Sequence, residues 1–163
     1  MGDGYVYHCD DCGKTYYADL GVGILYPQTC EEVLAAVRAG KYGQKLMEAA
    51  ESEQYVGVAA EHKLYRCESC GNWDVYADAS IYGLADKKKG PSIKFGEKTI
   101  AEWGEIPYIL DEEKDYRLIE KYIPTCGKCG SGMHEKKLTK RLRLICPECG
   151  SPLVVQPELI RWD

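Results

Sequence analysis

The sequence predicts a small α+β protein, mostly β, organised around two four-cysteine sites, with a helical hairpin inserted in the first. Three observations carry this expectation. The pattern C-x-x-C-G occurs four times, as Cys9–Gly13, Cys67–Gly71, Cys126–Gly130 and Cys146–Gly150. Tyr occurs 13 times against a single Phe, which suits thin sheets whose rings pack while their hydroxyls stay wet. A capped, amphipathic stretch lies between the first two cysteine pairs. The expected organisation is 1–85 as the first site with its insertion at about 29–52, 86–119 as a connector with short strands, and 120–163 as the second site.

Two Cys three positions apart, followed by Gly, form a knuckle. Both thiolates face one metal, backbone N–H groups donate to the sulfurs, and Gly takes the positive φ that turns the chain away. Each knuckle supplies two ligands and tetrahedral zinc takes four, so four knuckles imply two zinc ions per chain. Sixteen residues separate Cys129 from Cys146, a spacing typical of four-cysteine zinc sites. The expected second site is therefore Cys126, Cys129, Cys146 and Cys149. By elimination Cys9, Cys12, Cys67 and Cys70 form the first, across 54 intervening residues. The longer loop costs only about 1 kcal/mol more to close. YHCDDCGKTYYAD (7–19) and YRCESCGNWDVYAD (65–78) echo each other, as two halves of one site would. Nested or crossed pairing is the alternative.

Redox and haem readings fail on local detail. A thioredoxin-like pair opens a helix, whereas Gly13 and Gly71 lead into KTYYAD and NWDVYAD, which read as strands. No C-x-x-C-H is present. Iron remains the competitor to zinc, because thiolate ligands alone do not separate the two metals. YHCDDCG and CPECG resemble the two metal-binding loops of rubredoxins, in which four cysteines hold one iron. Together the four knuckles and their flanks resemble a bacterial-type zinc-ribbon protein with two ribbons. That resemblance implies closed structural metal sites; a rubredoxin-like iron redox protein is the less favoured implication.

Between the knuckles, Thr29 and Glu32 have capping-box spacing, followed by an apolar stripe of Val33, Leu34 and Val37 that ends at Gly40. A second helix is expected over about 43–51, the pair forming a lid on the first ribbon. Asp111–Ile123 reads as a strand in its last part, entering the third knuckle. Cys30, the ninth cysteine, has no partner by spacing and is expected to be a packed thiol.

Catalytic signatures are near misses. His134-Glu135 begins like H-E-x-x-H, but Leu138 stands where the second His belongs, and the deaminase pattern fails at both halves. His8, His62 and His134 are expected at the surface or in packing. Four thiolates also leave zinc no position for water. The expectation is a non-catalytic protein.

Charge separates two binding classes. Residues 1–120 hold 13 Lys/Arg against 22 Asp/Glu, while 121–163 hold eight against four. EKKLTKRLRLIC alternates as a strand, placing Lys137, Arg141 and Arg143 on one face and Leu138, Leu142 and Leu144 on the other. Weak or regulatory nucleic-acid binding through this stripe is one reading. The favoured one is a protein-interaction or adaptor module, because Asp10, Asp11 and Glu68 crowd the first two knuckles. No basic-then-apolar leader and no long apolar run is visible, so the expected location is cytoplasmic, without membrane contact.

Overall fold

The structure is a computed structural model that describes residues 2–23, 26–109, 114–139 and 142–162. Among these, the protein is small and mostly β, with three helices and several small sheets. In chain order the elements are β1 (Gly2–His8), β2 (Thr15–Leu20), α1 (Tyr26–Arg38), α2 (Gln44–Glu51), β3 (Val56–Val58), β4 (His62–Cys67), β5 (Trp73–Ala77), β6 (Ile81–Leu84), β7 (Lys94–Phe95), β8 (Lys98–Thr99), α3 (Ile100–Trp103), β9 (Tyr116–Glu120), β10 (Met133–Glu135) and β11 (Val154–Trp162). They form two compact units. The first comprises Met1–Ile24, Glu61–Tyr76 and Ile123–Asp163; the second comprises Leu25–Ala60 and Ala77–Tyr122. These units differ from the three consecutive segments 1–85, 86–119 and 120–163, because each is assembled from pieces distant in sequence.

The first unit holds two three-stranded sheets of the same plan, ordered β11–β1–β2 and β10–β4–β5. In each, the central strand runs into a knuckle, the next strand leaves it, and the third strand follows another knuckle. The registers correspond: His8 opposes Val154 in one sheet, and Arg66 opposes His134 in the other. Alternation along β1 and β2 sets Tyr5 opposite Ala18 and Tyr7 opposite Tyr16, which directs these rings to one face.

That face packs into a shared core of Tyr7, Cys9, Ala18, Leu64, Trp73, Leu144, Cys146 and Leu153. Trp73, from β5 of the second sheet, is its largest side chain. The indole meets the rings of Tyr7 and Tyr16 edge-on, at centroid distances of 5.5 and 5.9 Å, a favoured aromatic geometry. Its Nε1–H donates to the Ile145 carbonyl at 2.9 Å. A backbone bridge between Gly21 and His62 ties the same two sheets.

In the second unit, α1 packs on β3 and α2 on β6 and β9. Tyr26, Cys30, Val33, Leu34 and Val37 form the buried stripe of α1, at the spacing of one helical face. The helix begins at least by Tyr26, so Thr29 and Glu32 lie within it and do not cap it. Tyr26 supplies the reason: its hydroxyl donates to the Ile109 carbonyl at 3.1 Å and to that of Ala59, anchoring the extra turn. Pro27 is tolerated there because a first-turn N–H needs no intrahelical acceptor. A capping box does form at α3, between Thr99 and Glu102. The helix pair expected as a lid on the first ribbon is thus part of this second unit.

The expected connector is also more than a connector. Leu84, Phe95, Ile100, Ile106, Ile109 and Tyr116 form a core of their own with Ala59 and Tyr82. The sheet is ordered β3–β6–β9. Buried Asp78 accepts from the Ser80 hydroxyl at 2.5 Å, and Ser80 Oγ accepts from the Tyr122 N–H at 2.9 Å. The strand expected late in Asp111–Ile123 is β9, although it pairs with β6 and ends at Glu120, short of the knuckle. Residues 111–113 lie outside the described residues.

Trp73→Ala should destabilise the metal-loaded protein by about 3–5 kcal/mol, the cost of emptying a large aromatic site. Trp73→Phe should cost clearly less. Chemical denaturation followed by tyrosine fluorescence or circular dichroism measures both.

Candidate metal centres

The four knuckles are copies at the level of the backbone. In each, the N–H of the trailing Gly donates to the carbonyl of the first Cys, at 2.8 Å for Gly13 and 2.9 Å for Gly71, Gly130 and Gly150. The first Cys in turn donates to the residue after that Gly, at 2.7–2.9 Å. The four glycines have φ between 73° and 78°. This left-handed conformation costs an L-residue roughly 1–2 kcal/mol, so the repeated Gly is a requirement of the turn.

These turns assemble into two quartets, Cys9, Cys12, Cys146 and Cys149, and Cys67, Cys70, Cys126 and Cys129. In each, the sulfurs lie within 4.8 Å of one another. Across knuckles the separations are 3.5 Å for Cys9–Cys149 and 3.6 Å for Cys12–Cys146. The other site has 3.4 Å for Cys67–Cys129 and 3.7 Å for Cys70–Cys126. A tetrahedral ion with metal–sulfur bonds of about 2.3 Å places its ligands about 3.8 Å apart. The donor set and its spacing therefore fit a metal ion.

The pairing is nested, and it overturns the expected sequential one. The first knuckle joins the last, and the second joins the third. The echo between 7–19 and 65–78 therefore relates equivalent halves of two sites and not two halves of one. A second echo, CGKCGS (126–131) against CPECGS (146–151), belongs to the other halves. YHCDDCG and CPECG, the loops that resemble those of rubredoxins, are the ones brought together.

Polar groups around the sulfurs favour thiolates. Cys129 is held down at about 6, first by the Ser131 N–H, then by the Ser131 hydroxyl and the Cys67 and Cys70 thiols. Cys146 also falls to about 6. Desolvation opposes this, and the Tyr16 hydroxyl, the N–H groups of Cys149 and Glu148 and the Cys12 thiol overcome it. The Ser151 hydroxyl, then its N–H, also lower Cys149. Cys12 and Cys70 go the other way, to about 12. The N–H groups of Lys14 and Asn72 lower them, but desolvation and the neighbouring thiols prevail. A divalent cation removes this conflict by deprotonating all four thiols.

Sequence reasoning missed these supporting groups. The Tyr16 hydroxyl lies 3.1 Å from Cys146 Sγ, and Asn72 Nδ2 lies 3.8 Å from Cys126 Sγ. The available signal was the repeated Gly-Ser after the third and fourth knuckles.

Among the described residues, the other sequence candidates belong to neither quartet. His8 meets Thr15 Oγ1 at 3.2 Å. Burial, opposed by Asp19, lowers the pKa of half-buried His62. His134 is exposed on β10. Among the described residues the basic strand does not form as expected: β10 stops at Glu135, and the Leu142 N–H donates to the Thr139 carbonyl at 3.0 Å. Leu138, Leu142 and Leu144 all pack on the shared core, as their common face in the alternation predicts. Lys137 and Arg143 are exposed, and Arg141 lies outside the described residues. Among the described residues, no helix is long and apolar enough to cross a membrane.

Cys30 is a packed thiol, 2% exposed, and burial pushes it up to about 12 despite the Tyr26 hydroxyl. The chain matches no family model, no curated protein and no solved structure.

Cys129→Ser should release one metal and expose Cys67, Cys70 and Cys126 to thiol reagents, while Cys9, Cys12, Cys146 and Cys149 stay protected. Peptide mapping after alkylation reads this directly; sequential pairing would expose Cys146 and Cys149 instead. Cys30 should remain unlabelled in the native protein. Because its folded pKa lies above its unfolded one, its contribution to stability is complete below about pH 8.5 and is lost as pH rises towards 12. Cys30→Ala should flatten that alkaline loss in denaturation curves.

Proposed function

We propose that this is a non-catalytic protein with two structural zinc ions, which acts by binding a protein partner. The observation that carries it is the closure of both quartets. Four sulfurs already occupy the four corners of each site, so neither a water nor a substrate has a position on the metal. The two sites are then zinc ribbons, each metal serving as a staple for a sheet of three short strands. Zinc is the metal of closed four-cysteine sites that serve only structure, and it is preferred on that ground, since the donor set by itself fits iron equally. Unbridged cysteines suit a reducing compartment, which supports a cytoplasmic location.

The surface supports a protein partner over a nucleic acid. Tyr17, Val154 and Val155 are each at least half exposed, and Asp10 and Asp11 are exposed in the first knuckle. Two basic groups on or beside the second sheet already have carboxylate partners: Lys136 meets Glu68, and Lys63 lies 3.9 Å from both Glu61 and Glu135.

Native mass spectrometry with elemental analysis should find two zinc ions per chain, and a chelator should remove both with loss of the β structure. One ion per chain, or red iron-loaded protein from cells supplied with both metals, would count against the proposal. A pull-down from native lysate should recover protein partners equally with and without nuclease. Binding to nucleic acid should not exceed the non-specific range of about 10⁻⁴–10⁻⁶ M, and a nanomolar, sequence-dependent complex would reverse the ranking.

A further inference from the structure

One recess in the first unit lies between the two knuckle sheets. Tyr16, Tyr17, Asn72, Trp73, Asp74 and Pro147 line it, around a volume of about 260 Å³. That is below the roughly 300–1,000 Å³ of sites that enclose a whole small molecule, so it suits a single side chain. Three of its six lining residues are aromatic and one is a carboxylate. Asp74 is exposed, with one oxygen accepting the Val75 N–H at 2.8 Å. The lining contains no basic residue. Aromatic faces and a carboxylate together attract a cation on an aliphatic stem, through the ring quadrupole and the opposite charge.

A second observation stands beside it. β2 is the edge strand of its sheet; Gly21, just past its end, is paired with His62, and over residues 15–19 the outer side offers a backbone ladder to an extended chain. Its residues Thr15, Tyr17 and Asp19 are exposed. Edges are commonly blunted by Lys or Pro, and TYYADL contains neither. Tyr16 and Tyr17, which line the recess, are on this strand. A peptide lying along the edge would therefore carry a side chain to the recess.

We propose that β2 and this recess form a docking site for an extended peptide segment with a lysine side chain, the strand supplying backbone hydrogen bonds and the recess taking the ammonium. This deepens the protein-partner reading and rests on it. Asp19, exposed on the same strand, adds to the charge complementarity.

The test uses the metal-loaded full chain against a displayed library of random 12-residue peptides. Enriched peptides should share a lysine flanked by β-branched residues. Adding the best of them to isotope-labelled protein should shift the backbone amides of residues 15–19 and the Trp73 indole N–H. Tyr17→Ala and Asp74→Asn should each weaken it tenfold or more. Asn keeps the acceptor for Val75, and Tyr17 is 67% exposed, so neither change threatens the fold. Replacing the lysine by norleucine should have a similar effect. Peptides that bind without a cation, or whose binding ignores both substitutions, would overturn this site while leaving a protein-binding role standing elsewhere. An empty selection would overturn the site as well, and the lysate pull-down then decides the broader reading by itself.

Discussion

Closure of one quartet by the first and last knuckles is the constraint on which the first unit depends. It brings β1 and β11 side by side, with Gly2 opposite Trp162 and His8 opposite Val154. It also encloses the other quartet within its loop, so both sites end in one unit although their ligands span Cys9 to Cys149. Neither sheet exceeds three strands, and sheets so small bury little apolar surface. Cys9, Cys67 and Cys146 are themselves fully buried, so the sulfurs are at once candidate ligands and part of the packing.

Duplication explains how the two sheets are built, and Trp73 explains why they are not independent. The corresponding position after the first knuckle is Thr15 counted from the knuckle glycine, or Lys14 counted back from the shared Tyr-Ala-Asp, so the first copy has no indole there. Tyr16 turns its hydroxyl to a sulfur of its own quartet, whereas Trp73 reaches the carbonyl of Ile145 beside the other quartet. One copy thus supports its own site and the other supports its neighbour. Gly71 belongs to the same contact: a Cβ there would lie 2.7 Å from Ile145 Cδ1.

What was legible in the sequence was local. C-x-x-C-G specifies a turn within five residues, and all four turns formed. The strands after Gly13 and Gly71 and the apolar stripe of Val33, Leu34 and Val37 follow from short-range periodicity in the same way. Pairing is a long-range property. Nested closure spans 55 and 133 residues where sequential closure spans 16 and 54, yet the entropic difference is only about 2 kcal/mol. Burial of Trp73 in a shared core outweighs that, and no spacing rule contains it. The basic strand failed for a related reason. Alternation in EKKLTKRLRLIC marks which side chains face inward, and Leu138, Leu142 and Leu144 do reach the core, but it names no partner strand, and β10 ends at Glu135.

Nesting also sets an order during synthesis. A ribosome adds about 5–20 residues per second, so the 133 residues between Cys12 and Cys146 take roughly 7–27 s. For that interval the first knuckle is a finished dithiol without its partner pair, while the quartet of Cys67, Cys70, Cys126 and Cys129 is complete about 20 residues earlier. The last knuckle to emerge meets the one that has waited longest. The early thiols are therefore the ones most exposed to oxidants and stray metal while the chain is being made, and the cell's reducing and zinc-buffering capacity bears on this protein before it bears on the folded state.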